Sequence, residues 1–279
     1  MPSVLVTGAG RGIGRAIAEH LALTGWDVIA GVRTEADAAD VVALNPQHIS
    51  AVILDVTDTG QVEALAANLP ARLDAVVNNA GIVVAGPVET LTSADWRKQF
   101  DVNVVGQFAV TAAVLPKLRE SCGRVVFISS VNGQLSTPML GAYSASKFAL
   151  EAGAEALRME LRPWRIPVVV IEPAQTDTDM WRKADDMVAE LEDATSPDHH
   201  ALYDKHIAGM KKMIPLSQKI AVAPAKVVAV VEEALTARRP RARYIVGIGP
   251  KAQVALMGIL PASLRDGLLA KAFGVPRRV

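Results

Sequence analysis

The chain has one cysteine, few aromatic residues, no net charge and no long apolar run, and each shortage closes off a class of protein. Cys122 stands alone, so no internal disulfide can form, and a thiol with no catalytic base near it in sequence reads as passive. Lys plus Arg equals Asp plus Glu at 29 each, so no net field recommends nucleic acid or an anionic membrane as partner. The basic run Arg238-Arg239-Pro240-Arg241-Ala242-Arg243 has no interleaved aromatics for base stacking and reads as a solvated loop before the last strand. No apolar stretch approaches the roughly 18 to 20 residues that span a bilayer; Val254 to Leu260 stops at Pro261, and a helix capping an apolar cleft is expected there ahead of a short amphipathic tail resting on a membrane surface. The opening Met1-Pro2-Ser3 leads directly into an apolar strand, so a cytoplasmic protein without a signal peptide is expected.

Apolar residues are plentiful at 51%, mostly Ala, Val, Leu and Ile, which suits buried parallel strands covered by helices. Short apolar runs at Val4–Val6, Val28–Val32, Ser50–Leu54, Ala75–Val77, Arg124–Ile128, Val168–Ile171 and Tyr244–Val246 predict seven strands. Helical spacing falls between them at Ile13–Leu23, Gly60–Asn68, Ser93–Arg119, Ala142–Leu161 and Ala225–Ala237, with Thr92 and Asp95 as a capping pair. This alternation predicts an α/β fold, one doubly wound parallel sheet of about seven strands. A single domain over residues 1–250 is expected, with a helical extension over 251–279. Residues 177–220 break the rhythm: they are acidic near Asp185 to Asp193, interrupted at Ser196-Pro197, then Met-rich, and read as an insertion.

Directly after the first strand stands Thr7-Gly8-Ala9-Gly10-Arg11-Gly12-Ile13-Gly14, running into a helix. Glycines let backbone approach a pyrophosphate, whose charge meets N–H groups at the helix start, so this turn predicts a dinucleotide site. After the fifth strand come Ser129-Ser130, then Tyr143-Ser144-Ala145-Ser146-Lys147 in a helical stretch. Residues four apart share a helix face, so the Tyr143 hydroxyl and Lys147 ammonium can converge. A phenol of pKa about 10 relays protons poorly at neutral pH, and a nearby cation favours its phenolate.

The spacing T-G-x-x-x-G-I-G, together with Asp55-Val56, Asn78-Asn79-Ala80-Gly81, Asn103, Ser130 and Tyr143-x-x-x-Lys147, resembles the short-chain dehydrogenase/reductase family. The stretch Tyr143 to Leu161 has a loose similarity to its retinol and hydroxysteroid dehydrogenase branch. The resemblance implies a Rossmann-type fold and a catalytic tetrad of Asn103, Ser130, Tyr143 and Lys147. It implies adenine contacts at Asp55 and Val56, cofactor contacts at Asn79, Ala80 and Gly81, and a homodimer or homotetramer built through the long helices. Glu172-Pro173-Ala174-Gln175-Thr176-Asp177-Thr178 is similar to the family's segment over the nicotinamide, with Ala174 in place of the usual Gly, and makes Pro173, Thr176 and Thr178 candidate contacts.

Where the family carries an acid for the ribose of NAD, this chain has Val32 followed by Arg33, and Arg11 lies inside the glycine turn. Two guanidiniums suit a 2'-phosphate, so NADP is expected ahead of NAD. Asp27 lies too early to interfere, and Glu35 and Asp37 fit a solvated helix start. Met180, Trp181, Met187, Leu191, Met210, Met213 and Ile214 are candidates either for a lid over a hydrophobic substrate or for plain core. His199, His200 and His206 match no zinc spacing and read as solvated or substrate-lining. The functional expectation is an oxidoreductase interconverting a carbonyl and an alcohol on a hydrophobic small molecule, the alternative being a non-catalytic cofactor-binding sensor or scaffold.

Overall fold

The computed structural model describes residues 1–177 and 184–276. Seven strands, β1 (Ser3–Thr7), β2 (Asp27–Val32), β3 (Ile49–Ile53), β4 (Ala75–Asn78), β5 (Arg124–Ile128), β6 (Val168–Pro173) and β7 (Arg243–Val246), make one sheet in the order β3-β2-β1-β4-β5-β6-β7. Every neighbouring pair is parallel. The helices are α1 (Gly12–Leu23), α2 (Glu35–Val42), α3 (Thr59–Leu65), α4 (Ser93–Phe100), α5 (Gly106–Ser121) and α6 (Gly141–Glu160). They continue as α7 (Ala184–Ala194), α8 (Pro197–Lys219), α9 (Pro224–Thr236), α10 (Ile248–Ile259) and α11 (Ala262–Ala272).

Both faces of the sheet are covered, which is why its strands read as unbroken apolar runs rather than alternating ones. Val4 and Val6 pack with α1 and α9 on one face, whereas Leu5 points the other way, to α5 and α6. The strand order reverses between β1 and β4, and a doubly wound sheet opens a ligand crevice beyond its strand ends at such a point.

All seven expected strands form, and the expected break at Ser196-Pro197 separates α7 from α8. The run expected as one helix from Ser93 to Arg119 is instead two helices joined by a π-helical turn at Asp101–Val105. Its start is held by the Thr92–Asp95 capping box, while the wide turn lets the Asn103 amide leave the helix for partners elsewhere. The stretch after β2, where only a helix start was expected, closes into α2, capped by Thr34 accepting from the Asp37 N–H. Among the described residues no helix is long and apolar enough to cross a membrane.

Phe127 is fully buried at the centre of the sheet, and Phe127→Ala should cost about 3–5 kcal/mol in a urea titration. Leu23→Ala, at a site 71% exposed, should stay within about 0.5 kcal/mol of wild type in the same titration.

Candidate active site

At the β1 edge the backbone itself forms a cradle. Gly8 and Gly12 have φ of +64° and +57°, values that favour glycine, so the turn cannot be made by most other residues. A Cβ on Gly14 would lie 2.3 Å from the Gly8 carbonyl oxygen and 2.4 Å from Asn79 Nδ2, so α1 meets the strand ends with no room for a side chain. The Thr7 hydroxyl accepts from the backbone N–H of Asn79 and of Ala80, each at 3.0 Å, and Asn79 Nδ2 donates to the carbonyls of Thr7 and Gly8. These bonds lock the β1 and β4 loops together. Arg11, at the start of α1, makes no side-chain cap, and Arg11, Gly12 and Ile13 line the cleft that the cradle opens into. A close backbone approach, two left-handed glycines and a helix start fit the pyrophosphate of a dinucleotide.

Val32 is buried at the end of β2, with Arg33 exposed beside it, and both line the cleft. Asp55 accepts from the Thr57 N–H at 2.9 Å and its hydroxyl at 2.7 Å, which holds its carboxyl below the usual range. Val56 lines the same wall. Asp37 is more than a solvated helix start: it also lines the cleft, and a Cβ on Gly10 would come within 3.0 Å of its Cγ.

The middle of the cleft holds Ser130, Tyr143 and Lys147. Ser130 lies two residues beyond β5 and caps the short turn Val131–Gly133, its hydroxyl accepting from the Asn132 N–H at 3.1 Å. Tyr143 and Lys147 lie one turn apart on α6, with Lys147 Nζ 5.9 Å from the centre of the Tyr143 ring. Burial pushes the Tyr143 phenol up, and its hydrogen bond with Ser130 works against that rise. Lys147 Nζ donates to the Ile128 carbonyl at 2.9 Å; burial brings the ammonium down to about 8, opposed by Glu151.

Asn103 sits beneath this group. Its Oδ1 accepts from the Ile82 N–H at 2.9 Å, and its Nδ2 donates to the Ile82 carbonyl at 3.0 Å and to Ser146 Oγ at 3.1 Å. Two buried amides missed in the sequence flank it at four-residue spacing. Gln99 binds the Val84 N–H and the Ile82 carbonyl, and Gln107 donates to the Ala80 carbonyl. Three amides on one side of a helix, at 99, 103 and 107, were the available signal. Together they pin residues 80–84, including Gly81, along the cleft wall.

The cleft, about 1790 Å³ in volume, continues past Pro173 and Thr176 under an apolar cover. Of the lid candidates, Met187, Met210, Met213 and Ile214 line it, whereas Leu191 is buried in a small core with Met139, Val188 and Ile207. Val254 and Met257 of α10 and Leu269 of α11 line it too, so the C-terminal helices cap the cleft as expected. Thr178, Met180 and Trp181 lie outside the described residues. His200 bonds Asp204 and the Glu192 carbonyl, and His206 packs on the Tyr203 ring. Arg243, expected in a solvated loop, opens β7 instead and bridges two buried carboxylates, Glu151 and Glu172, at 2.7 Å each.

A family model described as short chain dehydrogenase matches residues 2–189. The chain is 32% identical to NADPH-dependent 3-dehydrocapnine reductase of Ornithobacterium rhinotracheale, covering 97% of each chain. It is 32% identical to mouse retinol dehydrogenase 5, covering 95% of this chain and 87% of the relative. A crystal structure of a short-chain dehydrogenase from Streptomyces avermitilis superimposes with a TM-score of 0.78 at 32% identity, covering 96% of this chain and 94% of that one. The protein therefore belongs to the short-chain dehydrogenase/reductase family, with the retinol dehydrogenases among its relatives. It is an oxidoreductase fold for nicotinamide cofactors and CH–OH chemistry.

Glu172 is fully buried, and burial, reinforced by the Glu151 charge, raises its carboxyl to about 7. The folded chain therefore holds this proton more tightly than the unfolded chain. Its contribution to stability is full below the usual 4.5 and is lost as pH rises through about 7. Thermal unfolding of Glu172→Gln should accordingly vary less with pH between about 5 and 7 than that of wild type.

Proposed function

We propose that the protein is an NADP(H)-dependent oxidoreductase interconverting a carbonyl and a primary or secondary alcohol on a hydrophobic small molecule. The observation that carries this reading is the convergence of Ser130, Tyr143 and Lys147 on one cleft that starts at a glycine cradle and ends under an apolar cover. When bound, the nicotinamide supplies or accepts the hydride. The chain's own groups handle orientation and the proton. Ser130 donates a hydrogen bond to the substrate oxygen, and Tyr143 gives its proton to that oxygen in reduction or takes one in oxidation. Lys147 lies close enough to favour the phenolate, and its bond to the Ile128 carbonyl fixes where the cation stands. Asn103 holds the cleft wall through Ile82 and packs against α6 through Ser146.

For the cofactor, Gly8, Gly12, Ile13 and Gly14 hold the pyrophosphate, and Asp55, Val56 and Asn79 to Gly81 line the adenosine side. Pro173 and Thr176 border the nicotinamide end, with Thr178 as a further contact. Arg11 and Arg33 favour the 2'-phosphate, and the NADPH in the name of the Ornithobacterium relative agrees with that preference. Asp37 is the group that works against it. Residues 177–220 serve as the lid and 251–279 as its outer cover on a catalytic unit of 1–250. Val105 and Phe148, both exposed along the α4-to-α6 surface, are consistent with a homo-oligomer formed there.

Two measurements test this reading. Tyr143→Phe should lower turnover of a carbonyl panel by about 100-fold or more while NADPH still quenches protein fluorescence. Unchanged turnover would overturn the mechanism, and quenching with no turnover by wild type would point to a sensor or scaffold. NADPH should bind more tightly than NADH, and Arg33→Ala should weaken NADPH by about tenfold with little change for NADH. Equal affinities would remove the argument from Arg33.

A further inference from the structure

Beyond the tetrad, the described residues bury two more carboxylates: Glu151, one helical turn from Lys147, and Glu172, which shares Arg243 with Glu151. Tyr143, Lys147 and Glu151 follow one another at four-residue intervals on α6, so they stack along one helix face. Glu151 is 6% exposed and Glu172, at the end of β6, is fully buried. An unpaired carboxylate in such a place is strongly destabilising, and here one guanidinium from β7 answers both. Arg243 places Nη2 2.7 Å from Glu151 Oε2 and Nε 2.7 Å from Glu172 Oε1. The Gln134 amide donates to the other Glu172 oxygen, Oε2.

The loop that carries Ser130 closes over the same carboxylate. A Cβ on Gly133 would stand 2.9 Å from Glu151 Cγ, 3.2 Å from its Oε1 and 3.0 Å from Ser129 Oγ. Glu151 thus lies against the Ser130 loop at Gly133 and one turn of α6 from Lys147. The groups facing it are Lys147 on its own helix, Arg243 from β7, Glu172 from β6 and the Ser129 hydroxyl beyond β5. Lys147 in turn faces the Ile128 carbonyl and Tyr143, and its Nζ is 4.0 Å from where a Cβ on Gly81 would be, beside the Asn103 amide.

We propose that Glu151 is a positioning residue for the reaction: its buried carboxylate, kept ionised by Arg243, is the counter-charge that keeps Lys147 an ammonium beside Tyr143. Glu172 is the second arm of the clasp and orients the guanidinium. The inference rests on the catalytic reading of Tyr143 and Lys147. The charge relations agree with it: Glu151 opposes the fall of the Lys147 ammonium, and Arg243 opposes the rise of the Glu151 carboxyl that burial causes. If Glu151 were neutral, Lys147 would lose its proton at lower pH and give less help to the phenolate on which alcohol oxidation depends.

The test uses Glu151→Gln, Glu151→Asp and Arg243→Met in the full chain. In Glu151→Gln the rising limb of the kcat–pH profile for alcohol oxidation should move up by about one pH unit, which lowers kcat at neutral pH about tenfold with KM nearly unchanged. Glu151→Asp, which keeps the charge, should restore most of the profile. Arg243→Met should shift it as Glu151→Gln does, because a carboxyl without its guanidinium takes up a proton; this variant serves if Glu151→Gln does not fold. A second readout needs no turnover. In cofactor-free protein, labelling of Lys147 by an amine-selective reagent, followed by peptide mass spectrometry, should begin at lower pH in both variants. Profiles and labelling that superimpose on wild type, or a loss by the same factor at every pH with labelling unchanged, would overturn the proposal. If Tyr143→Phe kept full turnover, the catalytic reading would fail while a labelling shift would still stand.

Discussion

A parallel sheet puts the carboxyl ends of all its strands on one edge, and that constraint decides where chemistry can occur in this protein. β1 delivers Thr7 and Gly8 to the edge, β4 delivers Asn78 and Asn79, β5 delivers Ser129 and Ser130, and β6 delivers Glu172 and Pro173. None of these is near the others in sequence. The β1–β4 and β5–β6 pairings set their relative heights, so that Thr7 can accept two backbone bonds from the loop after β4 and Lys147 can reach the carbonyl that ends β5. A slip of one residue in either pair would turn these side chains to the opposite face.

The edge is polar, yet much of it is buried, and buried polar groups are stable only with partners. Along the wall formed by residues 80–84 the partners are amides, Gln99, Asn103 and Gln107, which bind backbone and carry no charge. Around Arg243 they are ionisable, the carboxyl groups of Glu151 and Glu172. This difference has a chemical meaning. Amides hold a wall in place without altering the field in the cleft, whereas ionised groups in a poorly solvated interior act on any titrating neighbour. Lys147 lies between the two, drawn down by burial and held up by Glu151.

The apolar cover at the other end of the cleft follows another logic. Its side chains are mainly Met, Ile, Leu and Val from α7, α8, α10 and α11, which share one apolar wall. Methionine adapts to irregular shapes, so such a wall can enclose hydrophobic molecules of varied outline. Ile214 faces both the cleft and the small core around Leu191, which links the cover's stability to what it encloses.

Features that depend on near neighbours in the chain were legible without coordinates. Periodicity gave seven strands, glycine spacing gave the cradle, and a Tyr four residues before a Lys gave a shared helix face. Features that depend on long-range packing were not. Arg243 read as part of a solvated loop because its run is basic; its side chain does stay 42% exposed, but only the pairing of β6 with β7 sets it against Glu172, and only α6 brings Glu151 to it. Asp37 looked like an ordinary helix start, because its approach to Gly10 crosses from one βα unit to another. Periodicity likewise could not separate Met187 in the cleft from Leu191 in the core, since both are apolar positions of one helix. Sequence alone determined the class of fold, the backbone cradle and the helix face shared by Tyr143 and Lys147, because local sterics and helix geometry specify them. Tertiary structure alone decided which charges surround Lys147, because a buried charge is defined by partners that the chain brings from far away.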